Sequence, residues 1–186
     1  MARAKIYLLY QAKIPDWFVK EVVDKVSRVF DLEITFETLK LDPLPEAYNE
    51  LRGQFNSDIL LSYYASSFRV EEDNRVAILL DEDAYVACLN FVFGEALPGW
   101  GGIVYLARLK IGVQTPAPTE LIAERTAKEI VHELGHSYWL GHCPNPRCVM
   151  HFSNSIFDTD YKTMFYCKRC RGLLARRNLE HILKNY

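Results

Sequence analysis

Residues 129–143 read EIVHELGHSYWLGHC and contain three of the five histidines of the chain. His132 and His136 are four residues apart, so on an α-helix both imidazole rings project from one side, separated by about 40° of rotation and about 6 Å of rise. Two such rings can bind one tetrahedral zinc ion with Zn–N distances of about 2.0–2.1 Å. The stretch predicts a metal-binding helix; the alternative is a buried helix that happens to contain histidines.

Glu133 follows the first of these histidines and points about 100° around the helix from it. From there its carboxylate can reach a water held by the metal and accept the proton of that water. This is the physical content of the H-E-x-x-H motif of metallopeptidases, with Glu133 as the general base. Gly135 costs the helix roughly 1 kcal/mol relative to alanine, which suggests close packing or a functional constraint.

His142 lies six residues after His136, which on a straight helix is about 9 Å farther along and about 240° around. It can join the other two rings only if the helix ends soon after His136 and the chain turns back. We expect a turn built around Gly141 or around a strained Trp139, whose bulky side chain would make a positive φ cost about 1–2 kcal/mol. The alternative is a two-histidine site with a different third ligand.

Four of the five cysteines lie in the last quarter of the chain, in the pattern Cys143-x4-Cys148 and Cys167-x2-Cys170. Both spacings occur in structural zinc sites, and in a reducing compartment clustered cysteines indicate metal binding rather than disulfides. The pattern predicts a second zinc ion held by four thiolates. A redox pair at Cys167 and Cys170, or free buried thiols, are the alternatives. The fifth cysteine, Cys88, is predicted to be a small buried residue.

The composition sets broad limits on what the protein binds. The chain has 186 residues, 49% hydrophobic and 25% charged, with a formal net charge of −2. This balance offers no electrostatic reason to expect a nucleic-acid partner, and no window is apolar for long enough to cross a bilayer. The basic segment 168–177 is taken as the charged surface of a terminal helix. No signal peptide is apparent at the N-terminus, so we expect a cytoplasmic protein. We also expect that its partner is a peptide or protein and that it acts as a monomer.

Hydrophobic periodicity predicts an α+β (α/β-like) fold. Strands are expected at 4–10, 32–39, 75–83, 89–96 and 102–109, and helices at 14–30, at 56–67 with Asn56 or Ser57 as its cap, and from Thr119 through the histidines. Residues 113–120 read as a proline-containing loop. Arg125 and Glu129 are assigned to a solvated face of the last helix. The result is a mixed, mostly five-stranded twisted sheet with packed helices.

We expect residues 1–186 to form a single catalytic domain. Within it, residues 1–142 would form a subdomain of sheet and helices that carries the active-site helix. Residues 143–186 would form a small C-terminal subdomain held together by the four-cysteine zinc.

Together these motifs resemble a known family. HELGH at 132–136, His142 with the adjoining Cys143, the x4 spacing to Cys148, Val149-Met150 and CKRC at 167–170 are similar to the archaemetzincins, which are zinc metallopeptidases of the metzincin clan. The resemblance is specific over residues 132–170, extends to 80–96 and is loose over the first seventy residues.

The resemblance implies a metzincin-like fold with two zinc ions, one catalytic and one structural. It implies that the catalytic zinc is bound by His132, His136 and His142, with Glu133 as general base. It implies that the structural zinc is bound by the four cysteines named above, and that Met150 is the Met-turn residue, an apolar floor beneath the catalytic metal. Trp139 stands where the family has glycine, and the segment between Met150 and the last cysteine pair is one residue shorter than the family pattern.

The function predicted from these features is hydrolysis of peptide bonds by a zinc-dependent metallopeptidase, an aminopeptidase or a hydrolase of short peptides. Trp139 raises an alternative, because a tryptophan beside the metal would narrow or shield the cleft. In that alternative the chain is a zinc-structured peptide- or protein-binding protein with weak or no catalytic activity.

Overall fold

The computed structural model of the chain describes residues 4–71, 73–113 and 119–185. The strands are Lys5–Tyr10 (β1), Glu33–Thr38 (β2), Tyr48–Asn49 (β3), Gln54–Asn56 (β4), Arg75–Leu80 (β5), Ala84–Val86 (β6), Leu89–Val92 (β7), Gly94–Leu97 (β8) and Gly101–Tyr105 (β9). The helices are Asp16–Val26 (α1), Ser57–Ser67 (α2), Glu120–Ser137 (α3), Ile156–Tyr161 (α4) and Lys168–Ala175 (α5), and short 3₁₀ turns occupy Pro45–Ala47, Arg108–Lys110 and Glu180–Ile182.

The main sheet has five strands in the order β2-β1-β5-β9-β8. The first four are mutually parallel, and β8 pairs antiparallel with β9 at one edge. Every residue of β5 and β9 is buried, as expected for central strands covered on both faces. This arrangement confirms the predicted mixed five-stranded sheet.

A hydrophobic core lies on each face of this sheet. Along β1, Ile6 and Leu8 pack in the core formed with α1, α3 and the C-terminal segment, whereas Leu9 packs in the core formed with α2. The alternation follows from the two-residue period of a strand, which sends successive side chains to opposite faces. The result is a layer of helices on each side of the sheet.

Two of the helices begin where their sequences predicted. The Asn56 side chain accepts a hydrogen bond from the backbone N–H of Ile59 and caps α2, and the Thr119 side chain accepts one from Ile122 and caps α3. Each cap satisfies a backbone donor that has no partner within the helix. The predicted loop at 113–120 lies largely outside the described residues.

The single strand predicted at 89–96 is wrong in detail, because the chain changes sheets there. Residues 89–92 form β7 in a small second sheet of order β3-β4-β6-β7, and the chain then continues as β8 at the edge of the main sheet. Strands of two or three residues, such as β3, β4 and β6, are too short to give a periodic signal.

The prediction that Cys88 is buried is also wrong. The antiparallel pairing of β6 with β7 makes the apolar run around it a hairpin, and Cys88 lies exposed in the turn. An apolar run predicts burial only when it continues as one strand, and this one reverses.

The segment after α3 packs onto the same core as α1 and the main sheet. Val149, Met150, Leu174 and Ile182 all belong to that core, and a bridge from Phe30 to Leu183 ties the end of the described chain to the loop after α1. No helix among the described residues is both long enough and apolar enough to cross a membrane.

Candidate metal centres and active-site cleft

The C-terminal end of α3 decides where the third histidine lies. The helix ends at Ser137, and Trp139 has a φ of 62°. The Trp139 N–H donates to the carbonyl of His136 (2.8 Å) and the Leu140 N–H donates to that of Gly135 (2.9 Å). These two bonds form a Schellman motif, with tryptophan at the position that usually carries glycine.

This geometry decides between the two turns that the sequence allowed. Gly141 has no positive φ, so the strained Trp139 makes the turn, at a cost of about 1–2 kcal/mol. After the turn the chain runs back beside the helix and brings His142 against the other two histidines.

The imidazole rings of His132, His136 and His142 converge through their Nε2 atoms. His136 Nε2 lies 3.0 Å from His132 Nε2 and 3.2 Å from His142 Nε2. His132 Nδ1 lies 2.7 Å from the carbonyl oxygen of Val149, and His136 Nδ1 lies 2.8 Å from that of Leu140. Since a carbonyl only accepts, both Nδ1 atoms carry the proton and donate it, and the Nε2 lone pairs of these two rings face each other.

This donor set fits a zinc ion. Two nitrogen ligands of a tetrahedral zinc with bonds of about 2.05 Å lie about 3.3 Å apart, close to the spacing observed here. Lone pairs at such a distance repel one another unless a cation lies between them. The spacing is thus one that a bound zinc ion would stabilise. All three histidines meet at one point, as the three-histidine alternative requires.

Burial keeps these rings neutral. Burial lowers the pKa of His132 well below its ordinary value, and the nearby ammonium of Lys162 lowers it further. Burial also lowers the pKa of His136 to about 4 and lowers the pKa of His142. A neutral imidazole is the form that binds a metal, so protons compete weakly for this site.

Glu133 projects from α3 toward the edge of the main sheet. A Cβ atom added at Gly94 of β8 would lie 2.6 Å from Glu133 Oε1, and one added at Gly102 of β9 would lie 2.8 Å from Glu133 Cβ. Only glycine leaves room for this carboxylate between the helix and the strands. Burial raises the pKa of Glu133 well above its ordinary value, and the Glu129 carboxylate raises it further.

A buried charged network lies behind the histidines, and it corrects the assignment of Arg125 and Glu129 to a solvated face. Arg125 and Glu129 are only 4% and 2% exposed, respectively. Arg125 forms a two-pronged ion pair with Asp160 at 2.7 Å on each prong. Glu129 pairs with the fully buried Lys162 at 3.0 Å and accepts a hydrogen bond from Thr159.

The sequence could not show this network, because its partners come from α4 and the residue after it, about thirty positions farther along the chain. The network nevertheless bears on the site, since the Lys162 ammonium lowers the pKa of the histidines and opposes the rise at Glu133. A lysine at the end of a short polar helix carries no local signal of burial.

The four cysteines Cys143, Cys148, Cys167 and Cys170 form a second cluster, with all Sγ atoms within 4.8 Å of one another. The short Sγ–Sγ contacts of 3.7 Å join Cys143 to Cys167 and Cys148 to Cys170. A disulfide would require about 2.05 Å, whereas thiolates on a tetrahedral zinc lie about 3.8 Å apart. Contacts that cross between the two pairs favour one four-ligand site over a redox pair within CKRC.

One of these thiols is already favoured as the anion. The hydrogen bond between the Cys148 and Cys170 sulfurs lowers the pKa of Cys148 to about 5, and the Cys167 backbone N–H, which donates to the Cys148 sulfur at 3.3 Å, acts in the same direction. The thiolate is the form that binds a metal.

The two clusters are mechanically linked. Cys143 directly follows His142, and its backbone N–H donates to the carbonyl of Met150 (2.8 Å). Val149, which accepts the hydrogen bond from His132, directly follows Cys148. The segment from His142 to Met150, which carries the first two cysteines, therefore orients two of the three histidines.

A cleft of about 750 Å³ runs along the free edge of β8. Its lining includes the three converging histidines, Glu133, Trp139 and Phe152. The predicted site residues therefore divide between a histidine cluster that lines a cleft and a cysteine cluster that does not. Met150 lies fully buried under α3, where its sulfur would be 2.3 Å from a Cβ at Gly135.

The chain is similar to proteins of one family across almost its whole length. The model of peptidase family M54 matches residues 3–176. The archaemetzincin of Thermococcus kodakarensis is 37% identical over 176 residues, which cover 91% of this chain and 94% of that protein.

Solved structures agree with this. The crystal structure of archaemetzincin from Methanopyrus kandleri matches with a TM-score of 0.80 at 37% identity and covers 95% of this chain and 96% of its own. A zinc-dependent peptidase from Methanocorpusculum labreanum matches with a TM-score of 0.79 at 25% identity, covering 91% of this chain and 99% of its own. The chain therefore belongs to peptidase family M54, the archaemetzincins, and is a metallopeptidase of that family.

Proposed function

We propose that the protein hydrolyses peptide bonds with a zinc ion bound by His132, His136 and His142 and with Glu133 as the general base. The observation that carries the proposal is the convergence of three histidine Nε2 atoms in a cleft that Glu133 also lines. The zinc, when bound, polarises the scissile carbonyl and acidifies the attacking water.

Glu133 handles the proton in this reaction. Its carboxylate accepts the proton of the attacking water and delivers it to the amine nitrogen that leaves. Burial supports this task, because it raises the pKa of Glu133 and so makes its carboxylate a stronger base. Gly94 and Gly102 support it by leaving room for the carboxylate between α3 and the sheet edge.

The backbone of β8 is proposed to orient the substrate. This strand pairs with β9 on one side only, and its other edge borders the cleft. An extended peptide can add to such an edge as a further strand, with main-chain hydrogen bonds that do not depend on its sequence. Peptides and short extended segments of proteins are therefore the proposed substrates.

The cysteine cluster is proposed to hold a second, structural zinc, and Met150 to form the floor under the histidines. Support comes from the four sulfurs at zinc-like spacing and from the burial of Met150 against the helix between the histidine ligands. A site with four protein ligands leaves no position for a substrate.

The cellular setting is proposed on chemical grounds. The four clustered cysteines form no disulfide, which is compatible with a reducing compartment, so we propose a cytoplasmic protein. We also propose that it acts as a monomer, because the cleft with all its proposed catalytic groups is complete within one chain.

A Glu133→Gln variant tests the proposed function. It should keep two zinc ions per chain, measured by mass spectrometry of metals, and lose roughly 10²–10⁴-fold in the rate of peptide hydrolysis. A Glu120→Gln variant on the exposed first turn of the same helix is the matched control and should keep full activity.

The substrate for this test is a mixed peptide library read by mass spectrometry. Hydrolysis that survives Glu133→Gln would contradict the role of Glu133. Binding of peptides by the zinc-loaded wild type without any cleavage would favour the alternative of a zinc-structured binding protein, to which the half-exposed Trp139 in the cleft wall points.

A further inference from the structure

The side chain of Trp139 is part of the cleft wall rather than of the core. The residue is 50% exposed and lines the cleft together with Pro98 and Arg177. Its indole lies over the turn between β8 and β9, where ring carbons would be 3.5 and 3.7 Å from a Cβ atom at Gly99. The ring therefore spans the gap between the end of α3 and the end of the sheet edge.

The indole is held from several sides. The Schellman turn sets the backbone of Trp139, and the Gly99 N–H donates to the Ser137 carbonyl (2.9 Å), which ties the strand turn to the helix end. The guanidinium of Arg75 lies 5.6 Å from the tryptophan ring centroid, within range of a cation–π contact. Arg177 donates to the Trp139 carbonyl at 3.4 Å. These contacts fix the backbone of Trp139 and support one face of its ring.

The wall stands close to the reacting centre. Gly94 of β8 lies beside Glu133, and Leu97, three residues later, comes just before the turn that the indole covers. One residue of an extended peptide spans about 3.4 Å. A peptide running along β8 from Glu133 therefore meets the indole after about three residues, or about 10 Å.

The direction of β8 decides which end of a peptide meets the wall. The strand runs from Gly94, beside Glu133, to Leu97, just before the turn that carries Gly99. A peptide that pairs antiparallel to it has its amino end at that turn and its carboxyl end toward Gly94.

We propose that Trp139 closes the amino-terminal end of the cleft, so that the protein accepts at most about three residues before the scissile bond and cleaves only near the amino end of its substrates. The inference rests on the proposed function and adds a specificity-determining residue to it. Trp139 is the cause because, among the described residues and apart from the chain neighbours of Gly99, only its ring atoms lie within 4 Å of a Cβ atom at Gly99.

A Trp139→Gly variant is the direct test. Glycine adopts the positive φ of this position without strain, so the variant should fold with an equal or higher melting temperature. Trp139→Phe keeps an aromatic wall and is the matched control. The substrates are peptides with one common central sequence, extended by one to six residues at either the amino or the carboxyl end.

For wild type and Trp139→Phe we expect cleavage only within about three residues of the amino end of each peptide. Trp139→Gly should cut internal bonds of the amino-extended peptides at least about 10-fold faster than wild type does. Internal cleavage by wild type, the same cut positions in wild type and Trp139→Gly, or a limit at the carboxyl end would each overturn the inference while hydrolysis itself stands.

A binding measurement separates this inference from the proposed function. In zinc-loaded Glu133→Gln protein, calorimetry with the same peptides should show affinity falling at least about 10-fold once more than about three residues precede the central sequence. The double variant Glu133→Gln/Trp139→Gly should show no such fall. Equal affinities in both proteins would refute the wall even if no variant hydrolyses any peptide.

Discussion

The histidine cluster and the cysteine cluster differ in how many ligands they offer and in what surrounds them. Three histidines from one helix and the turn after it converge at the wall of a cleft of about 750 Å³. Four cysteines converge away from the cleft, since none of them lines it, and three of them are buried. Three protein ligands leave a tetrahedral ion one position for water or substrate, whereas four leave none.

The number and burial of the ligands, more than the metal, therefore decide what a site does. One short segment serves both sites, since the residues from Cys143 to Met150 include two cysteine ligands and also orient His132 and His142. A substitution at the four-cysteine site should therefore alter the geometry of the three-histidine site. A substitution at the three-histidine site should affect the four-cysteine site less.

The largest expected effect comes from opening the closed site. Cys148→Ser should reduce the zinc content from two ions to one per chain and lower the free energy of unfolding by several kcal/mol, since structural zinc binding contributes about 10–16 kcal/mol in small zinc domains. Peptide hydrolysis should fall with it, because Val149 and His142 lose their support. Metal analysis, denaturant unfolding and activity assays measure the three effects.

Cys88→Ser is the matched control, since this exposed cysteine lies outside the cluster, and it should leave zinc content and stability unchanged. Hydrogen exchange on Cys148→Ser also tests the proposed subdomains. Loss of protection confined to residues 143–186 would support a separable C-terminal unit, whereas loss across the shared core would show that 1–142 does not stand alone.

The next effect removes one ligand from the open site. His142→Ala should weaken zinc binding at the histidines more than about 100-fold, because altering even the outer partners of ligands costs about 10–100-fold. The cysteine zinc and the melting temperature of the zinc-loaded protein should change little. Competition with a fluorescent zinc chelator measures the affinity.

His181→Ala, at an exposed position in the last 3₁₀ turn, serves as the control and should behave as wild type. If His142→Ala bound zinc as tightly as wild type, the three-histidine site would be wrong and a two-histidine site would replace it.

A smaller effect is expected where the two regions pack together. In Gly135→Ala the new methyl group would lie 2.3 Å from Met150 Sδ and 3.0 Å from Tyr166 Cε1. Overpacking of this kind costs about 1–3 kcal/mol, against about 1 kcal/mol gained in helix propensity. We expect a net loss of about 1 kcal/mol in the free energy of unfolding.

Gly172→Ala in α5 is the matched control, because nothing lies within 4 Å of a Cβ there. It should raise the free energy of unfolding by up to about 1 kcal/mol. If both substitutions stabilised the protein, the close packing of α3 on the cysteine-bearing segment would be contradicted.

The smallest effect concerns the carboxyl group of Glu95, which lines the cleft of the histidine cluster and has no counterpart at the cysteine cluster. Burial raises the pKa of Glu95 on β8 to about 7, from an ordinary value of 4.5. An acid with a raised folded-state pKa destabilises the fold as it ionises, so this penalty is absent below about pH 4.5 and complete above about pH 7. Glu95→Gln should therefore be more stable than wild type at pH 8 and not at pH 4.5.

We expect a difference of about 1 kcal/mol at pH 8, well below the full linkage value, because the carboxyl is partly open to solvent. Denaturant unfolding at both pH values measures it, with the exposed Glu50→Gln as control. A stability difference between Glu95→Gln and wild type that did not change with pH would contradict the burial of an ionising carboxyl at this edge.

Sequence patterns predicted the main sheet well because buried parallel strands read as apolar runs. They also located the starts of two helices, because helix caps are local. Asn56 and Thr119 could be identified as caps from their own neighbours, and both cap their helices in the structure. The small second sheet could not be predicted, because strands of two or three residues have no period to detect. Cys88 was misassigned for a related reason, since nothing in an apolar run shows where it folds back on itself.

The sequence by itself determined the ligand types and their spacing: two histidines one helical turn apart, a glutamate beside the first and two cysteine pairs. Those features are local, because helix geometry and ligand chemistry act within a few residues. Only the tertiary structure decided that Trp139 rather than Gly141 makes the turn, that its indole stands in the cleft wall, and that Arg125 and Glu129 are buried under partners about thirty residues away. Burial and ion pairing of this kind depend on which distant segment covers a helix face, and no local pattern encodes that choice.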